Sequence, residues 1–260
     1  MKATAARVLL TGAGGGIGAA TAATLIEAGA SVMLVGRSSL KLAGQTETLQ
    51  PRQGRSRVSF QQADLTRPDD IAGLAKAAGD WGCNVVIHGA GLPSFGRLGT
   101  LSSEQMRQVL DTNLLAPMLL TQALLPHLQA LPQAQVMLIG SVLGRLGLPG
   151  YSVYCASKFG LRGFAEALRR ELDGSRVAVQ YLGPRSTRTG FNSSAADDYN
   201  RATATASDPA ELVARAVLDV LESERAERFL GFPEKLAVRI NGLAPSWLDG
   251  AFAKHRANLP

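Results

Sequence analysis

The amino-acid sequence predicts an α/β protein, a single domain with a doubly wound parallel sheet of about seven strands and helices on both faces. Short runs rich in Val, Ile and Leu alternate with helical patterns along the chain. The apolar runs are continuous rather than alternating, as expected of strands that are covered on both faces. Short joints between these elements imply parallel pairing with right-handed crossovers.

The elements follow in order from these patterns. Strands are predicted at 7–12, 31–36, 57–62, 84–89, 135–140 and 176–183. Helices are predicted at 16–28, 38–49, 68–79, 102–130, 151–172 and from about 207 onwards. Ser207 or Asp208 would cap the last helix, with Pro209 in its first turn. The weakly patterned segment 186–206 is interpreted as a lid over the substrate.

Composition limits the class of protein. The 260 residues, 46% of them hydrophobic, are enough for one large core. The net charge of +6 comes from basic residues that are scattered, except at 52–57 and Arg169–Arg170, so nucleic-acid binding is not expected as the main role. Two cysteines and three distant histidines predict no disulfide framework and no metal site. With no apolar run suited to a signal peptide or membrane span, we expect a cytoplasmic protein.

A glycine cluster joins the first predicted strand to the first helix. The segment LLTGAGGGIG carries five glycines, at positions 12, 14, 15, 16 and 18. Glycine permits positive φ and close approach of a ligand, and the free amides at a helix start favour a pyrophosphate. In this context the cluster predicts dinucleotide binding by a Rossmann-type fold.

The residues after the second strand bear on which dinucleotide is bound. A site for NAD usually has an acidic residue about 20 residues beyond the glycines. Here Gly36 is followed by Arg37 and Ser38, and a guanidinium can bind a 2′-phosphate through two parallel hydrogen bonds. We therefore expect NADP(H) to be preferred over NAD(H). The alternative is that Arg37 only caps a solvent-facing turn.

Two tyrosines lie in the segment YSVYCASKFG at 151–160, and a lysine distinguishes them. Tyr154 has Lys158 one helical turn away, whereas Tyr151 has Cys155 there. A free tyrosine has a pKa of about 10, which a neighbouring ammonium lowers. We interpret Tyr154 as a general acid and base and expect its pKa to be lowered.

With these motifs the chain resembles the short-chain dehydrogenase/reductases, in their single-domain Tyr-x-x-x-Lys subgroup. TGAGGGIG at 11–18 resembles the family's cofactor turn, YCASK at 154–158 its catalytic motif, and GPRSTRT at 183–189 its loop against the nicotinamide. The resemblance spans residues from about 7 to 230. It implies hydride transfer between a nicotinamide and a carbonyl or secondary alcohol carbon.

The resemblance also implies a role for individual residues. Ser141 would orient the substrate, Tyr154 would protonate the alkoxide, and Lys158 would hold the ribose. Asn113 would anchor a water of the proton relay, and Asp64 would bind the adenine. The residues expected at the cofactor are Gly12, Gly15, Gly16, Ile17, Gly18, Arg37, Asp64, Leu65, His88, Ala90, Gly91, Tyr154, Lys158, Pro184, Thr187 and Thr189.

Four positions depart from the family's pattern or from that of its NADP-preferring members. His88 and Gly89 replace two asparagines, and His88 is interpreted as a structural substitute whose protonation would tune cofactor binding. Arg185 stands in place of a glycine. Gly15 occupies the position at which many NADP-preferring members carry a basic residue, so the NADP(H) expectation depends on Arg37.

Two other functions stay open. A cofactor-binding regulatory or scaffold protein would keep the site with little turnover, although the complete set of four catalytic residues argues against it. A serine hydrolase using Ser141 with His88 or His127 is disfavoured because the chain has no Gly-x-Ser-x-Gly elbow there. The substrate and the direction of reaction are not predicted.

The chain is divided into a catalytic domain at 1–232 and an amphipathic extension at 233–260. The extension has an apolar stripe beside basic residues, which suits a peripheral membrane helix or a subunit contact. Folding onto its own domain or a neighbouring subunit is commoner, and we favour it. The resemblance implies pairing through the fourth and fifth helices, and the apolar faces of the predicted helix 102–130 favour a homodimer or homotetramer.

Overall fold

A computed structural model describes residues 1–50 and 57–259. Most of the basic stretch at 52–57 and the last residue of the predicted extension lie outside the described residues. Within those ranges no helix is both long and apolar enough to cross a bilayer. The same ranges contain no group of three His, Cys, Asp or Glu side chains that could hold a metal ion.

One parallel sheet of seven strands forms the centre of the described chain, with the strand order β3-β2-β1-β4-β5-β6-β9. Two short strands, β7 and β8, pair with each other outside this sheet. The strands are β1 (Arg7–Thr11), β2 (Ser31–Gly36), β3 (Val58–Gln62), β4 (Val85–His88), β5 (Ala134–Ile139), β6 (Val177–Gly183), β7 (Thr187–Arg188), β8 (Asp208–Pro209) and β9 (Glu227–Phe229). The predicted fold class is confirmed.

Helices cover both faces of the sheet. They are α1 (Gly16–Glu27), α2 (Ser39–Leu49), α3 (Pro68–Trp81), α4 (Ser103–Leu110), α5 (Ala116–Ala130), α6 (Ser152–Glu171), α7 (Ser194–Ala202), α8 (Ala210–Ser223), α9 (Glu234–Leu243) and α10 (Ala253–Ala257). Helices α1 and α8 pack together on one face, and α3, α5 and α6 cover the other.

Strand β1 illustrates why its apolar run is continuous. Successive side chains of a strand point to opposite faces. Val8 and Leu10 accordingly belong to the core beneath α1 and α8, and Leu9 belongs to the core beneath α3, α5 and α6. All three are fully buried, and burial of each such side chain stabilises the fold by about 1.5–3 kcal/mol.

Two connections differ from the sequence-based expectation. The predicted helix 102–130 is two helices joined by a π-helical turn at Asp111–Leu115, where the amide of Ala116 donates to the carbonyl of Asp111. Such turns are often found at functional sites. The segment 186–206 is not unstructured, since it contains β7 and α7. Helix α7 forms because Ser193 caps it and because Ala196 and Tyr199 are buried.

The C-terminal residues fold back onto the rest of the chain. Helix α9 is held at Val238, which is buried, and the side-chain amide of Asn241 donates to the carbonyl of Arg145 at 2.8 Å. Parts of the apolar stripe face outwards, with Leu243 and Trp247 exposed at 90% and 80%. The extension therefore presents one face to its own domain and leaves another uncovered.

Candidate active site

A large cleft lies where the strand order reverses, at the carboxyl ends of β1 and β4. The loops that follow these two strands diverge to opposite faces, which opens a crevice at this position in doubly wound sheets. The cleft has a volume of about 1150 Å³ and extends from the loops after β1, β2 and β3 to the C-terminal residues. It has room for a ligand larger than a single nucleotide.

The glycine turn forms the floor of this cleft and requires glycine at two positions. Gly12 has a φ of +70°, and a Cβ there would lie 2.6 Å from the amide nitrogen of Ala90. A Cβ on Gly18 would overlap with the carbonyl oxygen of Gly12. These contacts allow α1 to begin directly against the end of β1.

The start of α1 presents a cradle for an anionic group. Gly15 precedes the helix, and the first amides of a helix have no partners within it. A Cβ on Gly14 would meet nothing within 4 Å, so the backbone here faces open space. Gly16 lies against Thr189, and a Cβ added to Gly16 would be only 2.5 Å from the Thr189 Cγ2. The turn fits a dinucleotide pyrophosphate, with the loop after β6 on its other side.

Two basic side chains, Arg37 and Lys41, line the outer end of the cleft, and both are exposed. Ser38 caps α2, accepting a hydrogen bond from the amide of Lys41 at 3.4 Å. Lys41 was not predicted from the sequence, although its place in the first turn of α2 was a usable signal. On the next loop, hydrogen bonds from Thr66 lower the pKa of Asp64, whose Oδ1 accepts them at 2.8 and 3.0 Å.

His88 is a buried structural residue at the end of β4. Its Nε2 lies 2.9 Å from the Thr121 hydroxyl on α5, and burial lowers its pKa to about 3. The imidazole is therefore neutral over the physiological range, which corrects the expectation that its protonation tunes cofactor binding. The cleft is lined instead by the glycines and alanine that follow it, and the Thr11 hydroxyl accepts hydrogen bonds from Gly89 and Ala90 at 3.0 and 3.2 Å.

Helix α6 brings Tyr154 and Lys158 to the cleft, opposite Ser141 at the end of β5. The hydroxyls of Tyr154 and Ser141 are hydrogen-bonded to each other. The Lys158 Nζ donates to the carbonyl of Ile139 at 3.2 Å and lies 5.7 Å from the centre of the Tyr154 ring. Three of the four predicted catalytic residues therefore share one surface.

The pKa of Tyr154 is raised, not lowered as expected from the sequence. Removal of its hydroxyl from bulk water is the main cause, and the hydrogen bond with Ser141 opposes it only in part. Burial also lowers the pKa of Lys158 to about 8, and its ammonium is directed at Ile139. Tyr154 is consequently a neutral phenol near pH 7 in this structure.

Tyr181, which the sequence analysis missed, holds the backbone of Ser141. Its hydroxyl donates to the carbonyl of Ser141 at 2.9 Å and accepts from the amide of the same residue at 3.0 Å. Its ring fills the space that a Cβ on Gly140 would occupy, and its hydroxyl fills the corresponding space at Gly144. No motif marks Tyr181, because in the sequence it is one more apolar residue of strand β6.

Asn113 lies behind the wall of the cleft, in the π-helical turn, and is 1% exposed. Its Oδ1 accepts from the amide of Leu92 at 2.7 Å. Its Nδ2 donates to the carbonyl of Leu92 at 2.9 Å and to the Ser157 hydroxyl at 3.2 Å. Its side chain thus joins the loop after β4 to α6, and the predicted contact with a relay water stays a prediction.

The loop after β6 closes over the cleft and carries Pro184, Thr187 and Thr189 along it. The Pro184 carbonyl accepts from the amide of Val142 at 2.8 Å, next to Ser141. Arg185, which replaces the family's glycine, forms ion pairs with Asp208 at 2.7 Å and with Glu234 at 3.4 Å. The arginine therefore joins this loop to β8 and α9.

Aromatic rings surround the inner end of the cleft. Tyr151 also lines it, 6.3 Å from the Tyr154 ring, and burial raises its pKa to about 12. The remaining rings were not predicted from the sequence, because they come from three separate segments with no shared motif. The rings that line the cleft are Phe95, Tyr151, Tyr154, Phe191, Phe252 and His255.

The fold and site define a class of dinucleotide-binding α/β oxidoreductases, and comparison with known proteins gives the family. A model of the short chain dehydrogenase family matches residues 6–200. Dehydrogenase/reductase SDR family member 7B of Mus musculus is 32% identical over 259 residues, which cover 92% of this chain and 77% of that protein. The chain belongs to the short-chain dehydrogenase/reductase family.

Solved structures agree with this assignment. A short-chain dehydrogenase from Sphingobium yanoikuyae in complex with NADPH matches with a TM-score of 0.80 and 26% identity, over 95% of this chain and 96% of that one. A short chain dehydrogenase/reductase from Burkholderia phymatum in complex with NAD matches with a TM-score of 0.85 at 21% identity, over 95% and 96% of the two chains. The second likeness concerns the fold alone.

Proposed function

We propose that this chain is an NADP(H)-dependent oxidoreductase that transfers a hydride between nicotinamide and a carbonyl or secondary alcohol carbon, with Tyr154 as general acid and base. The observation that carries the proposal is the convergence of Tyr154, Ser141 and Lys158 on the cleft that begins at the glycine turn. A serine hydrolase has no support here, because the His88 imidazole contacts Thr121 and the His127 imidazole contacts the carbonyl of Cys83, and neither contacts Ser141.

The residues suggest how reduction of a carbonyl would proceed. Tyr154 is protonated near neutral pH, so it is ready to donate its proton to the developing alkoxide. Ser141 would donate a hydrogen bond to the same oxygen and stabilise its charge. Bound NADPH would supply the hydride, held by the glycine turn and by Lys158 at its ribose. Oxidation of an alcohol would reverse these proton transfers.

The preference for NADP(H) is supported by the charge at the outer end of the cleft. Arg37 and Lys41 line this end, and the N-terminus of α2, at Ser39, lies between them in the sequence. Asp64 is the acidic residue that lines the cleft here, and Thr66 already occupies its Oδ1. A 2′-phosphate would therefore meet two cations and a helix N-terminus.

The direct test is a fluorescence titration with NADPH and with NADH, followed by a screen of carbonyl compounds monitored by NADPH oxidation. We expect tighter binding of NADPH and turnover that Tyr154→Phe lowers about 10³-fold. Binding of NADPH without turnover of any carbonyl would favour the regulatory or scaffold alternative. Tighter binding of NADH would contradict the role given to Arg37.

We also propose that the enzyme is a homodimer or homotetramer in the cytoplasm. Four large apolar side chains on α4, α5, α6 and the π-helical turn are 37–45% exposed. These residues are Leu110, Leu115, Met118 and Phe159. An apolar surface of this kind suits an isologous contact. The two free cysteines fit a reducing compartment. Light scattering coupled to gel filtration tests the assembly, and a monomer at micromolar concentration would contradict it.

A further inference from the structure

We infer that residues 252–259, called the C-terminal segment below, complete the wall of the substrate site, and that the site takes an uncharged carbonyl compound with an aromatic ring. The inference rests on the proposed oxidoreductase function and names its substrate class. It is carried by three observations: the rings around Tyr154, the attachment of the C-terminal segment, and the pairing of the charges nearby.

The first observation is a continuous set of ring contacts that starts at Tyr154. Tyr154 lies edge-on to Phe191 on one side, at 6.2 Å, and to Tyr151 on the other, at 6.3 Å. The contacts continue from Tyr151 to Phe95 at 4.9 Å and to Tyr199 at 6.0 Å. A substrate whose carbonyl oxygen accepts the proton of Tyr154 therefore has the groups next to its carbonyl between aromatic rings.

The second observation is that the C-terminal segment is fixed in this set of rings. The His255 Nδ1 lies 2.8 Å from the Tyr199 hydroxyl, and the rings of His255 and Phe252 are 5.6 Å apart. Leu259 and Phe95 both lie against Gly150. A Cβ added to this glycine would be 2.5 Å from the Leu259 Cδ2 and 2.8 Å from the Phe95 Cε2. Phe252 and His255 thereby line the cleft although they lie about a hundred residues after Tyr154.

The third observation concerns charge. Among the described residues that line the cleft, the charged side chains near the C-terminal segment are Arg185 and Glu234, which pair with each other at 3.4 Å. Burial and the neighbouring Lys254 lower the pKa of His255, which keeps the imidazole neutral at neutral pH. Arg37, Lys41 and Asp64 lie at the other end, in the loops after β2 and β3 and the first turn of α2. Lys158 also lines the cleft, and its Nζ is directed at the carbonyl of Ile139.

These observations together select the substrate. Aromatic rings bind other rings in edge-to-face or offset arrangements, which adds to the gain from burying their apolar area. A carboxylate or phosphate brought between these rings would lose its hydration, and Arg185, the cation on this wall, is already paired with Asp208 and Glu234. The wall therefore favours a flat, uncharged ring next to the reacting carbonyl and disfavours anionic substrates of similar size.

The test compares matched compounds in binding and in turnover. Saturation-transfer NMR on enzyme loaded with NADP⁺ measures binding without reaction, for 2-tetralone against 2-decalone and for methyl 4-acetylbenzoate against 4-acetylbenzoate. We expect about tenfold tighter binding of the aromatic ketone and of the uncharged ester. Equal binding within both pairs, or tighter binding of the carboxylate, would overturn the inference.

Point variants test the part played by the C-terminal segment. Phe252→Ala and His255→Ala should each weaken 2-tetralone binding about tenfold and leave the Kd for NADPH unchanged. Trp247→Ala is the matched control, because this aromatic residue lies just before the segment, is 80% exposed and does not line the cleft. The conservative variant His255→Gln keeps a side chain that can hydrogen-bond with Tyr199 and should recover part of the loss. Unchanged 2-tetralone binding in both alanine variants would overturn the inference.

The same data separate this inference from the proposed function. Binding of 2-tetralone that depends on Phe252, without NADPH oxidation, would support the ring site and contradict the oxidoreductase proposal. NADPH-dependent turnover of 2-decalone and 2-tetralone with equal kcat/KM would support the oxidoreductase proposal and overturn the substrate class.

Discussion

The two ends of the cleft are built in different ways. At the cofactor end, main-chain groups of the glycine turn and of the loop after β4 form the surface, supported by the adjacent ends of β1 and β4. At the substrate end, side chains from four segments that are distant in the sequence form the wall. A surface of main-chain groups restricts the sequence at a few neighbouring positions, whereas a surface of side chains can be formed in many ways.

Tyr154 lies where the two ends meet, so its loss should have the largest effect. We expect Tyr154→Phe to lower kcat about 10³-fold, because general acid catalysis contributes about 10²- to 10⁴-fold. The Kd for NADPH should stay near its wild-type value, since the ring is kept. Stopped-flow measurement of NADPH oxidation and a fluorescence titration provide the two numbers. A similar loss of NADPH affinity would mean that Tyr154 acts mainly at the cofactor end.

Gly12→Ala should disrupt the cofactor end while sparing the aromatic wall. The alanine would need a φ of +70° and a Cβ 2.6 Å from the amide of Ala90. Such strain costs about 1–3 kcal/mol of folding free energy. If the turn moved to relieve the strain, the protein would lose NADPH binding. Urea unfolding and a fluorescence titration measure these effects.

Gly163→Ala is the control for that variant, because a Cβ there meets nothing within 4 Å in the middle of α6. It should leave NADPH binding unchanged and stabilise the protein by up to about 1 kcal/mol. If Gly12→Ala behaved like this control, the tight turn would not be needed for binding.

The outer cations should affect the choice of cofactor without affecting the chemistry. We expect Arg37→Ala to weaken NADPH binding about 30-fold and Lys41→Ala somewhat less, since hydrogen bonds to charged groups contribute about 1.5–3 kcal/mol. The Kd for NADH should change little in both variants. Titrations at two salt concentrations would show whether the difference between cofactors decreases with ionic strength. A parallel loss of NADH affinity would place Arg37 in a general structural role.

The smallest expected effect comes from Tyr181, a positioning residue behind the site. Tyr181→Phe removes the two hydrogen bonds that hold the backbone of Ser141, at 2.9 and 3.0 Å, and should lower kcat about tenfold. In the background of Ser141→Ala the same change should have little further effect on kcat. A double-mutant cycle measures this coupling, and a purely structural tyrosine would give additive losses.

These contrasts explain what could be predicted from the sequence. The glycine turn and the Tyr154–Lys158 pair are local in sequence, and each was located without a structure. Strand β9 was missed because it has three residues, too few for a pattern. The expectation for the Tyr154 pKa was wrong because burial, which depends on the whole fold, raises this pKa, and because the Lys158 ammonium is directed at Ile139. The aromatic wall depends on how distant segments meet, and spacing along the chain does not encode it.

Arg185 links the loop after β6 to β8 and α9 through charge. It joins the loop that touches the glycine turn at Thr189 to Asp208 in β8 and to Glu234 at the start of α9, which precedes the C-terminal segment. A displacement of this loop by the cofactor would therefore pull on the wall of the substrate site. Because these charges are mostly buried, the link between the two ends of the cleft would change little with ionic strength.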